Sequence, residues 1–135
     1  MKELVLFYSY SGNTRKIAEK YAQENNFDIY EVIAVKKPNK LRDYTAGIIK
    51  CMTNGVCKIK PLDVNFADYD IINIFAPVWA GVFAPAMNSA LKLIPPGKII
   101  KLFMVSMSGA SSKDIVSKRV QKLGLEVAGY EDIKS

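Results

Sequence analysis

Residues 71 to 91, "IINIFAPVWAGVFAPAMNSAL", run for 21 positions without a charged side chain. A stretch of that length either crosses a bilayer or lies inside a core covered on both sides. Pro77, Gly81 and Pro85 break it where a strand, a loop and a helix should change over, and Asn73 and Asn88 place polar groups near its two ends. The segment therefore reads as a central strand "DIINIFA", a loop "APVWAGVFAP", and a helix over residues 84 to 94. Proline suits the first turn of that helix because its missing N–H has no partner there in any case. No membrane association is expected.

Around this segment the apolar pattern alternates between strand and helix periods. "ELVLFYS" reads as a first strand, followed by a helix over residues 14 to 26 with Ile17, Ala18, Tyr21 and Ala22 on one face and Arg15, Lys16, Glu19 and Lys20 on the other. Asn25 and Asn26 supply a stop. "FDIYEVIAV" reads as a second strand, and "LRDYTAGIIKCM" as a short helix with an irregular return through "VCKIKPLDV". After the central strand and its helix come the strand "IIKLFMVS", a helix "SSKDIVSKRVQKLG" with a serine cap and Gly124 at its end, and the strand "EVAGYED". Five strands separated by helices predict one α/β domain over residues 1 to 135, a three-layer sandwich around a parallel sheet. Ligands bind such sheets beyond the carboxyl ends of the strands.

Composition narrows the chemistry. The chain has 135 residues and no histidine, so histidine-dependent nucleophile systems, histidine-bearing zinc sites and His-ligated haem are excluded. Its net charge of +6 arises within residues 36 to 60, where Lys36, Lys37, Lys40, Arg42, Lys50, Lys58 and Lys60 face the single acid Asp43. A local patch of this kind is usually a solvated surface, and no nucleic-acid partner is expected. Cys51 and Cys57 are too few for a disulfide scaffold and, without histidine, make a poor metal site. With no leader pattern before "LVLFYS", a cytoplasmic location is expected.

Three loops carry the functional signal. "SYSGNTRKIA" places Ser9, Tyr10, Ser11, Gly12, Asn13 and Thr14 between the first strand and its helix. The helix start leaves backbone N–H groups unpaired and aims a partial positive charge at the loop, and the hydroxyl and amide side chains add donors that converge on an anion. The missing G-x-x-x-x-G-K-[ST] lysine favours a monophosphate over a nucleoside triphosphate. The alternative is a helix start whose hydroxyls only satisfy its own backbone. The second loop holds the one tryptophan, Trp79, which either covers a planar ring or fills the core. The third, "SMSGASS", is small and flexible enough for backbone groups to meet a ligand edge.

"SYSGNTRKIA" resembles the FMN phosphate-binding signature of the flavodoxin family, and "PVWAG" and "MSG" are similar to its two flavin-flanking loops. The resemblance spans essentially the whole chain and implies a flavodoxin-like sheet in the order 2-1-3-4-5. It implies FMN as cofactor, with its phosphate held by Ser9, Tyr10, Ser11, Gly12, Asn13 and Thr14. Pro77, Val78, Trp79, Ala80 and Gly81 would line the isoalloxazine and ribityl chain, and Met107, Ser108 and Gly109 the pyrimidine side. No catalytic side chain is implied. The expected function is electron transfer to a redox partner protein or a small-molecule acceptor. An FMN-dependent NAD(P)H oxidoreductase of quinone-reductase type, or an interaction module that has lost the flavin, are the alternatives.

Three departures stand out. Flavodoxins are usually acidic, whereas this chain is basic. One unit charge about 7 Å from a flavin, at an effective dielectric of about 20, is worth roughly 2.4 kcal/mol, or on the order of 100 mV for one electron. The third loop lacks the tyrosine that often stacks on the outer flavin face. Only "IKS" follows the last strand where the family places a fifth helix, so the C-terminal helix is expected to be missing or truncated, and a homodimer or partner subunit is expected to cover the face left bare.

Overall fold

The computed structural model describes residues 2–35 and 58–135. The helix expected in "LRDYTAGIIKCM", both cysteines, and Lys36, Lys37, Lys40, Arg42, Asp43 and Lys50 lie outside the described residues.

Strands β1 (Glu3–Phe7), β2 (Asp28–Glu31), β3 (Ile71–Trp79), β5 (Ile99–Ser106) and β6 (Glu126–Lys134) form a parallel sheet in the order β2-β1-β3-β5-β6. Renumbered without the small hairpin strand β4 (Val82–Phe83), this is the expected order 2-1-3-4-5. Helix α1 (Asn13–Asn25) covers one face, while α2 (Pro85–Leu91) and α3 (Lys113–Gln121) cover the other. The pleat decides which residue meets which helix. Leu4, Leu6, Ile72, Ile74, Ile100, Leu102 and Met104 alternate toward α2 and α3, and Val5, Phe7, Phe75 and Phe103 toward α1.

Several boundaries differ from the sequence reading, each for a local reason. β2 is four residues long because the β1 ladder ends at the Phe7 to Glu31 pair. The chain then turns, and Ala34 forms an antiparallel bridge with Ile59, so the return segment is less irregular than its sequence suggests. β3 runs past the expected loop start at Pro77 because Val78 and Trp79 find partners in Phe83 and Val82. The Pro77 carbonyl accepts the Ala84 N–H at 3.2 Å. Pro77 has no N–H to return, and the Ala84 carbonyl instead accepts the first bonds of α2, from Met87 at 3.0 Å and Asn88 at 3.3 Å. Ser112 stands at the N-cap position of α3, but its side chain makes no cap bond. Gly124, with φ of +80°, closes the turn after α3, and Asn26, with φ of +56°, closes α1.

The turn between β3 and β4 is the two-residue type with both central residues left-handed, Ala80 at φ +54° and Gly81 at φ +82°. Alanine holds that conformation at a cost of about 1–2 kcal/mol. Glycine would relieve it while losing more chain entropy on folding. Ala80→Gly is therefore expected to raise stability by about 0.5–1 kcal/mol, seen as a higher thermal midpoint.

A polar knot crosses the α1 face. Asn73, fully buried, donates to Glu3 Oε1 at 3.1 Å and to the Leu4 carbonyl at 3.3 Å, and accepts from the Tyr21 hydroxyl at 3.3 Å. Burial, then Glu3 and Glu131, raise the Tyr21 phenol above its ordinary range, so it stays a donor at neutral pH. Lys101 lies 3.8 Å from Glu3. Asn73→Ala strands these partners and is expected to cost about 2–3 kcal/mol, measured as a lower urea midpoint at unchanged slope. Toward β6 the same face carries Lys101, Gly129, Glu131 and Ile133. Its outer part is polar rather than broadly apolar.

Candidate functional site

β1, β3 and β5 are neighbours in the sheet, so the three loops that leave their carboxyl ends converge on one edge. Two contacts tie them together. Tyr10 of the first loop meets Trp79 of the second edge to face, with ring centroids 5.7 Å apart at 85°. The Gly81 carbonyl accepts the Ser112 N–H at 2.7 Å, joining the hairpin tip to the start of α3. A Cβ on Gly81 would come within 2.7 Å of Ser112 Oγ, so this joint needs glycine twice over, for its φ and for its space.

The first loop has the form an anion requires. Gly12 is the N-cap of α1, left-handed at φ +99°, and no side chain caps the helix. No acidic residue lies in the first turn, while Arg15 and Lys16 stand there. Cations at a helix N-terminus cost a few tenths of a kcal/mol each, to about 1, and a negative charge arriving at the loop would offset that cost. Open space lies over Gly12, where an added Cβ would meet nothing within 4 Å. The open space and the donors around it suit a phosphate. Arg15 is held aside by Glu31 at 2.5 Å and lies over the Phe7 ring. Ser9 Oγ accepts the Gly12 N–H at 3.0 Å, which leaves its own hydrogen to donate. Ser11 and Asn13 are exposed, and Thr14 is 3% exposed beneath the loop.

Trp79 is 8% exposed and belongs to the core under α2 and α3, so its indole acts as a wall behind Tyr10. Pro77 and Val78 are partly exposed, and Ala80 is exposed at the hairpin tip. In the third loop, Ser106 Oγ accepts the Gly109 N–H at 3.0 Å and Ser108 Oγ accepts the Ala110 N–H at 3.3 Å. Those two donors are engaged within the loop, and Met107 projects with 84% of its surface exposed.

Sequence reasoning missed the residues that brace the third loop. The Ser111 hydroxyl donates to Asp132 Oδ1 at 2.5 Å and accepts from the Tyr130 hydroxyl. Burial is the main cause that lifts the Tyr130 phenol above its ordinary range, Ser111 opposing and Asp132 adding to it, so the phenol remains the donor at neutral pH. The repeated serines in "SMSGASS" signal only the turn bonds of Ser106 and Ser108, since hydroxyls bonding N–H groups two or three residues on are a turn device, and the brace itself leaves no local signal. Among the described residues no cluster of three potential metal ligands occurs, and no helix is long and apolar enough to cross a membrane.

No protein-family model and no curated protein matches this chain. Solved structures do. A flavoprotein from Lactobacillus acidophilus NCFM, crystallised in complex with FMN, is 26% identical over 96% of this chain and 91% of its own, with a TM-score of 0.77. A candidate flavoprotein from Bacteroides eggerthii DSM 20697 is 21% identical over 96% and 86%, with a TM-score of 0.80. A flavodoxin from Streptococcus pneumonia TIGR4 shares the fold at 14% identity over 100% and 87%, with a TM-score of 0.55. Sheet order and helix layers define a doubly wound α/β protein whose three loops converge at the carboxyl edge. The chain has the flavodoxin-like fold.

Proposed function

We propose that this chain binds FMN at the carboxyl edge of its sheet and passes electrons through it. The observation that carries the reading is the α1 N-terminus: uncapped at Gly12, free of acid in its first turn, and surrounded by Ser9, Ser11, Asn13 and Thr14. A similar flavoprotein crystallised with FMN supports it. FMN, when bound, supplies reversible one- and two-electron chemistry. The backbone N–H groups of the first loop and the four polar side chains would hold the phosphate. Tyr10, Pro77, Val78, Ala80 and Gly81 would border the ring, with Trp79 fixing Tyr10 from behind, and Met107, Ser108 and Gly109 would flank its other edge. No side chain is assigned a proton-transfer step.

The third loop offers no aromatic lid, and its Met107 is exposed, which favours a second reading in which a small acceptor or NAD(P)H reaches the ring directly. Anaerobic mixing of FMN-loaded protein with NAD(P)H separates the two. Flavin bleaching at a catalytic rate assigns a reductase; bleaching only after a reductase protein is added assigns a carrier; no flavin absorbance after reconstitution rejects both. We read the chain as cytoplasmic and without a nucleic-acid partner. A second copy across the β5–β6 edge of the α1 face is a separate proposal, supported by a dimer mass in scattering at high concentration and overturned by a clean monomer.

A further inference from the structure

We propose that Lys134 is a redox-tuning residue of this site, whose ammonium favours the reduced, negatively charged state of the bound flavin over the oxidised one. The inference rests on the FMN reading and adds the residue that biases it. Lys134 pairs with Ser106 in the β5–β6 ladder, and the next backbone N–H, of Ser135, donates to the Ser106 carbonyl at 2.9 Å. Its stem packs on the third loop. A Cβ on Gly109, at φ +72°, would stand 3.3 Å from Lys134 Cβ and 3.8 Å from Cγ, so the loop leaves the room a side chain would fill to this lysine.

Among the described residues, the nearby charged side chains are bonded elsewhere, set on the other face or exposed to solvent. Asp132, on the same face of β6, accepts from Ser111; Lys113 lies over the Tyr130 ring; Glu131 points to the opposite face; Asp114 is exposed in the first turn of α3. Lys134 makes no ion pair among the described residues. An unpaired cation beside a ring that gains charge acts on the difference between its two states. Two-electron reduction at pH 8 takes two electrons from a donor and one proton from solvent, and leaves one negative charge on a ring that was neutral.

The test measures the dissociation constants of oxidised FMN and of dithionite-reduced FMN in the wild type and in Lys134→Ala, Lys134→Arg and Lys134→Glu. The residue is exposed, so all three variants should melt as the wild type does. Lys134→Ala is expected to weaken reduced FMN about five- to tenfold relative to oxidised FMN, the size of one charge partly screened at a rim. Lys134→Glu should weaken it further, Lys134→Arg should restore the ratio, and 0.5 M salt should shrink the difference. Equal changes in both constants, or none, with oxidised FMN still bound, overturn the role of Lys134 alone. Failure of wild-type protein to bind oxidised FMN overturns the site reading first.

Discussion

Replacing Asn13 and Thr14 together by alanine is expected to weaken FMN binding about 100-fold, while the protein stays folded. Each side chain would give the phosphate one charge-assisted hydrogen bond, worth about 1.5 kcal/mol or somewhat more, and about 3 kcal/mol corresponds to a little over two decades in affinity. The folded state loses less. Asn13 is exposed, alanine is the better helix former at both positions, and only the buried Thr14 gives up packing, so a stability loss of about 1 kcal/mol is expected. Fluorescence quenching of FMN reads the affinity, and circular dichroism melts read the fold. Lys20→Ala, on the exposed flank of α1 and paired with Glu24 at 3.8 Å, should leave both unchanged. If the double variant binds FMN as the wild type does, the loop hydroxyl and amide do not hold the phosphate.

Phe75→Ala is expected to be the most destabilising single change. Phe75 lies in the middle of β3 and stacks on Phe103 with centroids 4.3 Å apart at 3° between planes, while Tyr21 of α1 leans on both rings at 5.2 and 5.1 Å. These rings join α1 to the sheet together with Val5, Phe7 and Ile17, while Ala18 and Ala22 contribute little volume of their own. Truncation would remove an aromatic ring and leave a cavity that a sheet on one side and a helix on the other cannot close. The expected cost is about 3–5 kcal/mol, or a drop in the thermal midpoint of about 10–15 °C for a domain of this size. Phe75→Leu should lose under half as much. A loss below about 1 kcal/mol would mean that α1 is held by its termini rather than by this stack.

The coupling between these two predictions explains why the fold was legible and parts of the site were not. A central strand as nearly apolar as "IINIF" is covered on both faces, and the alternation of strands with helices around it implies a three-layer α/β domain. The strand-to-helix junction of the first loop was legible because glycine, hydroxyls and amides are concentrated there. The extension of β3 was hidden, because a proline usually ends a strand and only the return of Val82 and Phe83 makes Val78 and Trp79 a ladder. Trp79 left two readings open in the sequence, and burial depends on what packs against it: Tyr10 and the α2 layer. The brace of Ser111, Tyr130 and Asp132 joins residues 19 and 21 positions apart, a distance at which no spacing rule operates. Ser112 shows the converse. Its type and position suit a helix cap, yet tertiary contact with Gly81 takes its backbone N–H and its side chain caps nothing.

The central claim is that the α1 N-terminus holds a phosphate, and comparing FMN with riboflavin tests it most directly, since the two share a ring and differ by that group. Titration of the apoprotein at low ionic strength should give FMN an affinity at least about 100-fold above that of riboflavin, with most of the difference lost in the Asn13→Ala plus Thr14→Ala variant. Equal affinities for the two compounds, or binding of neither, would contradict the account.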